Sequence, residues 1–296
     1  MYFGNLEIDL VSDGMMWLDA GGSFGLVPRG LYQHFFPLRP DNTAPMLLTC
    51  MLVRSRGKTI LVDTGMGNKL SPEDNERWGL ERSNGGLLNA LSKLGVSPQD
   101  IDIVINTHLH SDHCGGNTVR EGDAVVATFP RAEYWVQRIE WAEACHPDAR
   151  TRGTYFPENF EPLMKDGRLR LLHGDTEVTD QIHCVVTPGH TRGHQSVRLQ
   201  AESWHGLYLG DMASYAVQFA RTSWLTAYDV LPLENIRTKE RWQLWAMQKR
   251  AWLFSEHDPL MPIVHLVERD GRKEVLPIEE AQPLIDSLPK QLQPHE

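Results

Sequence analysis

Short apolar runs recur along the chain, each rich in β-branched or aromatic residues and each ending in a polar cluster, a pattern that predicts strands. They are KTILVDTG (58–65), IDIVINTH (101–108), DAVVATFP (123–130), IHCVVTPGH (182–190), HGLYLGD (205–211) and AWLFSEHD (251–258). Between several of them the period becomes helical. Leu87, Leu88, Leu91 and Leu94 form one apolar stripe, with Gly95 placed to stop that helix and Ser97-Pro98 to open the next turn. Thr238 is placed to N-cap a second helix in which Trp242, Trp245, Ala246 and Lys249 share a face, a stripe read as core. The alternation predicts a mixed α/β chain. No internal repeat, low-complexity tract or Gly/Ser linker interrupts it, so residues 1–296 are read as one domain.

Polar residues follow these runs at a consistent place. Asp63 follows ILV, His108 follows IVIN, His190 follows VVTPG, Asp211 follows LYLG and His257 follows WLFSE. Each therefore sits where a strand exits, the edge of an α/β sheet at which ligands bind. Residues scattered over nearly 200 positions are expected to meet in one cleft.

Composition narrows the classes. At 41% hydrophobic residues the chain can bury a substantial core, and a formal net charge of -10 argues against nucleic acid or an anionic membrane as partner. No run approaches the length of a membrane span, and MYFGNLEIDL lacks the features of a signal peptide, so a cytoplasmic location is expected. Cys50, Cys114, Cys145 and Cys184 are far apart with no C-x-x-C, which suggests neither a disulfide framework nor a thiolate zinc site.

The densest chemistry is THLHSDHCGG (107–116). In an extended exit segment, side chains at i and i+2 point the same way, so His108 and His110 can grip one ion while Asp112 and His113 lie beyond the bend. Two metals become plausible. Gly115 and Gly116 are expected to allow a tight backbone before a helix. A lone histidine here would be read as a solvated loop residue. H-x-H-x-D-H after an apolar strand, joined by two further strand-end histidines and two strand-end aspartates, favours metal binding.

These motifs together resemble the metallo-β-lactamase fold. The resemblance rests on His108/His110/Asp112/His113, LVDTGMG with Asp63, TPGHTRGH with His190, LGD with Asp211 and EHDP with His257, in order over roughly residues 40–260. It implies an α/β four-layer αβ/βα sandwich. The front segment LDAGGSFGLVPRGLYQHFFP (18–37) is in addition similar to the quorum-quenching N-acyl-homoserine lactonases of the YtnP type and to methyl parathion hydrolases.

Carried onto this chain, the resemblance assigns His108, His110 and His190 to a first metal, Asp112, His113 and His257 to a second, and Asp211 to a bridge between them. Asp63 takes the place of an acid that orients a ligand histidine. His265, eight residues beyond His257 on a similar run, is the competing last ligand; His257 is favoured because it directly follows a strand. His194 is read as a structural loop residue and Cys114 as packing behind the ligands. Imidazole and carboxylate donors without thiolate suit zinc, the default, and also manganese, cobalt or iron. A hydroxide shared by two ions would attack an ester or lactone carbonyl, with Asp211 or Asp112 passing the proton to the leaving oxygen. Some relatives place a tyrosine shortly after the bridging aspartate to donate to the substrate carbonyl. Tyr215 is the candidate, with packing as its competing reading and Tyr228 as a second candidate.

A lactonase acting on a small ester or lactone is the reading the resemblance implies. A phosphotriesterase or an aryl or carboxyl esterase on the same dimetal site is the alternative, a glyoxalase II-like thioesterase or a non-catalytic metal-binding protein a weaker one. The apolar front residues between Met15 and Phe36 are expected to pack on the sheet, with part of the segment (about 1–45) lining the active site or crossing to a second subunit in a homodimer. The end EEAQPLIDSLPKQLQPHE (279–296) is read as a docking helix and tail.

Overall fold

The computed structural model describes residues 1–279; the 279–296 docking segment falls almost wholly outside the described residues. Two seven-stranded sheets lie face to face. The first runs Tyr2–Phe3, Leu6–Asp19, Thr43–Ser55, Lys58–Val62, Ile103–Ile105, Glu133–Gln137 and Leu169–Leu172, its last four strands parallel. The second runs Thr176–Thr179, Ile182–Val186, Gln195–Ala201, Trp204–Tyr208, Trp252–Phe254, Ile263–Arg269 and Arg272–Pro277, with Trp204–Tyr208 and Trp252–Phe254 parallel.

The apolar runs are continuous because both faces of each sheet are covered. Ile60, Val62, Ile103 and Ile105 point into the space between the sheets, where they meet Ile182, Cys184, Tyr208 and Phe254 of the second sheet. The intervening Leu61 and Val104 point outward onto Leu87 and Leu91 of the helix Gly86–Lys93. On the other side Val185, Leu207 and Leu253 pack on Trp242 and Ala246 of the helix Pro232–Lys249. Helix, sheet, sheet, helix is the four-layer sandwich the motifs imply.

Local expectations fare unequally. All six runs contain a strand, but Ala124–Ala127 pairs only with Thr118–Glu121 in a separate hairpin. The long pair Leu6–Asp19 and Thr43–Ser55 was not among the runs read as strands. Thr238 does not cap a helix: Pro232 opens that helix in its first turn, and the Thr238 hydroxyl donates to the Pro188 carbonyl at 2.7 Å. Proline's fixed φ is the signal that marks this start.

Candidate metal centre

Strand ends build the site. Lys58–Val62 delivers Asp63, which turns the chain with a φ of 54° and accepts hydrogen bonds from the Thr107 amide (2.8 Å) and hydroxyl (2.7 Å). Those bonds tie this strand exit to the one after Ile103–Ile105, from which His108 and His110 project. A short helix, Ser111–Cys114, then carries Asp112 and His113 round the bend. Gly115 and Gly116 follow this helix rather than precede one. Their backbone is ordinary, and their smallness is needed because a Cβ would fall 2.1 Å from the Met66 carbonyl oxygen and 2.3 Å from that of Thr64. The second sheet reaches the same place: the Leu47 amide donates to the His257 carbonyl at 3.1 Å.

Four overlapping three-residue groups among the described residues could each hold a cation: His108, His110 and His190; Asp112, His113 and His257; His108, His113 and Asp211; and Asp63, His113 and Glu256. Asp211 stands between the first two, with Oδ2 3.1 Å from His190 Nε2 and Oδ1 3.1 Å from His257 Nε2. Those two groups and Asp211 come from positions singled out in the sequence. His265 lies elsewhere, its Nδ1 donating to the Ala251 carbonyl on the far side of the second sheet's strands.

Two of the buried imidazoles leave a ring nitrogen without a hydrogen-bond partner among the described residues, and His110 turns its Nδ1 toward His190 Nε2 at 3.0 Å. His108 Nε2 and His110 Nε2 are buried without a hydrogen bond. Burial, and then the neighbouring histidines, hold both rings well below the usual histidine range, so each is neutral with a lone pair free to ligate. Outward, the rings of His190, His257 and His113 are each steered by a second group, the support that fixes ligand orientation. His190 Nδ1 bonds Asp229 Oδ1 at 3.0 Å, and His257 Nδ1 donates to the Leu47 carbonyl at 2.8 Å. His113 Nδ1 bonds Asp63 Oδ2 at 3.2 Å, with Glu256 Oε1 2.9 Å away. His194, pushed down to about 3 by burial and the adjacent His190, accepts the Asp211 amide hydrogen on Nε2 at 3.0 Å.

Asp229, Glu256 and Thr107 were not singled out in the sequence. Glu256 was within reach of that reasoning, since it occupies the same strand exit as His257. Asp229 was not, because no apolar strand precedes TAYDVLP.

The cleft beside His110, Asp112, His190 and Asp211 is lined by Leu18, Met46, Trp78, Thr154, Thr226 and Tyr228. Tyr215 corrects an expectation. Its side chain is fully buried between Phe24 and Phe36, and its hydroxyl donates to the Pro45 carbonyl at 3.1 Å, so it is a packing residue. The tyrosine on the cleft is Tyr228, 40% exposed, whose hydroxyl lies where Gly22 leaves room by lacking a side chain. Arg150 donates to the carbonyls of Ala227 (2.6 Å) and Asp229 (2.7 Å), which bracket it. In the front segment, Met16, Phe24, Tyr32 and Phe36 pack against Leu48 and Tyr215, whereas Leu18 and Ser23 reach the cleft. Cys114 is buried and donates from Sγ to the Leu109 carbonyl.

Comparison with known proteins agrees with this geometry. The metallo-beta-lactamase superfamily model matches residues 45–240. An N-acyl homoserine lactonase of Bacillus thuringiensis is 30% identical over 198 residues, covering 60% of this chain and 68% of its own. A probable metal-dependent hydrolase from Staphylococcus aureus superposes with a TM-score of 0.85 at 27% identity, over 94% of this chain and 99% of that one. AidC, a dizinc quorum-quenching lactonase solved with a product, superposes with a TM-score of 0.77 over 94% of this chain and 96% of its own; at 20% identity it speaks to the fold.

Proposed function

Given that the chain belongs to the metallo-β-lactamase superfamily and is a metal-dependent hydrolase, we propose that it opens the ring of N-acyl homoserine lactones. The centre would be held by His108, His110 and His190, by Asp112, His113 and His257, and by Asp211 between the two groups. The carrying observation is that pair of ligand groups meeting at one carboxylate, on a chain similar to named lactonases. His108 Nε2, buried with no hydrogen-bond partner among the described residues, fits a cation, and His110 brings its Nδ1 to 3.0 Å from His190 Nε2 beside it. Zinc is taken as the default ion, and the nitrogen and oxygen donor set equally suits manganese, cobalt or iron.

Two divalent ions supply, when bound, a water acidic enough to attack near neutral pH and an electrophilic contact for the carbonyl. The protein does the rest. Asp211 and the six other ligands fix the positions around which the lactone lies. Asp112, whose side chain keeps 17% exposure toward the cleft, takes the proton from the attacking water on its carboxylate and returns it to the ring oxygen as the acyl C–O bond breaks. Tyr228 Oη donates to the carbonyl oxygen as negative charge grows there. Leu18, Met46 and Trp78 give the acyl chain an apolar wall.

The test is a panel of N-acyl homoserine lactones, aryl esters, S-lactoylglutathione and a phosphotriester on protein of known metal content. Lactones are expected to lead in kcat/KM; a lead by triesters or aryl esters would move the substrate and keep the dimetal chemistry. Within that panel Tyr228→Phe is expected to lose about 10²-fold in kcat on the best lactone. Tyr215→Phe should keep parental kcat and lose about 1 kcal/mol of stability with the Pro45 hydrogen bond. The reverse ranking of the two variants would return the donor's role to Tyr215.

The exposed Leu26 and Leu31, beside Val27, Pro28 and Trp224, support a homodimer through this front face. A monomer in sedimentation at micromolar concentration would overturn that assignment.

A further inference from the structure

His113 is the only one of these ligands, among the described residues, with two carboxylates at its outer nitrogen. Its Nε2 faces the second ligand group, 3.3 Å from His257 Nε2 and 3.6 Å from oxygens of Asp112 and Asp211. On Nδ1 the hydrogen bond goes to Asp63, whose oxygens are already occupied by Thr107. Glu256 Oε1 is 2.9 Å from the same nitrogen, and neither Glu256 oxygen has a hydrogen-bond partner of good geometry. The residue is fully buried.

A carboxylate taken out of water without bonded partners is costly unless a positive charge lies near it. A cation held at His113 Nε2, on the opposite edge of the ring, would supply that charge. Resting on the ligand reading above, we propose that Glu256 is a positioning residue for the second metal site, acting with Asp63 through the His113 ring to raise that site's affinity above what Asp63 alone provides. The two sites are then unequal by construction. In the first, the outer nitrogen of His190 has a single carboxylate, Asp229, and that of His108 lies 3.1 Å from the Thr107 hydroxyl.

The isosteric Glu256→Gln variant keeps the volume and removes the charge. Zinc-stripped full-length protein is titrated with zinc against a chromogenic chelator. The parent is expected to take up two equivalents, and in Glu256→Gln one of the two steps should weaken by about 10- to 100-fold while the other moves less than about threefold. Site identity comes from two backgrounds. In His190→Ala the remaining step should carry the whole effect, and in His257→Ala the remaining step should carry none. Glu256→Asp, which keeps the charge on a side chain one methylene shorter, is expected to fall between parent and Gln.

Equal weakening of both steps, or no weakening of either, would overturn the proposal, because a merely structural role moves the sites together. A third zinc equivalent in the parent that Glu256→Gln loses would also overturn it, by making Glu256 a ligand. Fewer than two equivalents in the parent is a different failure: it sinks the dinuclear reading itself, whatever the variant does.

Discussion

Replacing Asp211 by alanine is expected to lower kcat/KM on the best lactone by about 10³-fold or more and to reduce the metal content of the purified protein below two. The carboxylate contacts a histidine of each ligand group, at 3.1 Å on both sides. Its own orientation is over-determined: the Ser214 hydroxyl donates to Oδ1 at 3.0 Å, and His194 holds the backbone amide. Alanine keeps that amide bond and so should keep the loop, which separates loss of the shared ligand from loss of the fold. Steady-state kinetics beside metal analysis of the same sample decide it. Two ions retained with parental turnover would mean that Asp211 is not shared between them.

Stripping the metal is the second large effect. Chelator-treated protein should have no measurable lactone turnover, recover it on adding zinc, and melt about 10 °C below the loaded form. The size follows from linkage: a ligand held at roughly 1,000 times its dissociation constant stabilises by about 4 kcal/mol, and each kcal/mol is about 2–4 °C for a chain approaching this length. The direction follows from the site. Seven donors, six of them buried, converge on a small volume, and two imidazole nitrogens there have no protein partner. Calorimetry of stripped and reloaded samples reads both numbers. An unchanged melting temperature after removal of both ions would show that the cluster is stable without them, and unchanged turnover would remove metal from the reaction.

Both effects arise where strands of two different sheets end, and this explains why the candidate donors were legible early. Strand-exit position is a local property: an apolar run of fixed period followed by His or Asp can be seen in eight residues, as in IVINTHLH or LYLGD. The i, i+2 spacing of His108 and His110 is local too. The choice of His257 over His265 needed only the strand boundary, and the structure puts His265 outside the cluster.

Tyr215 shows where local reasoning fails. It lies four residues after Asp211, but the intervening turn directs its ring into Phe24 and Phe36, residues of the front segment nearly 200 positions away. Tyr228 reaches the cleft from a loop with no strand before it, held by Arg150 from yet another segment. Glu256 could be suspected from its neighbour; its place behind His113 could not, because that contact joins residues 143 positions apart that follow strands of different sheets.

The amino-acid sequence by itself determined the strand periodicity and a mixed α/β chain, because both are written in short-range patterns of residue type and spacing, while the sandwich and the seven candidate donors came from the resemblance that its motifs carry. Tertiary structure alone decided which carboxylate stands behind which imidazole, which tyrosine faces the cleft and why Gly115 and Gly116 must be small. Those contacts depend on how two sheets are laid against each other. No period along the chain encodes the distance between side chains brought together only when both sheets are packed.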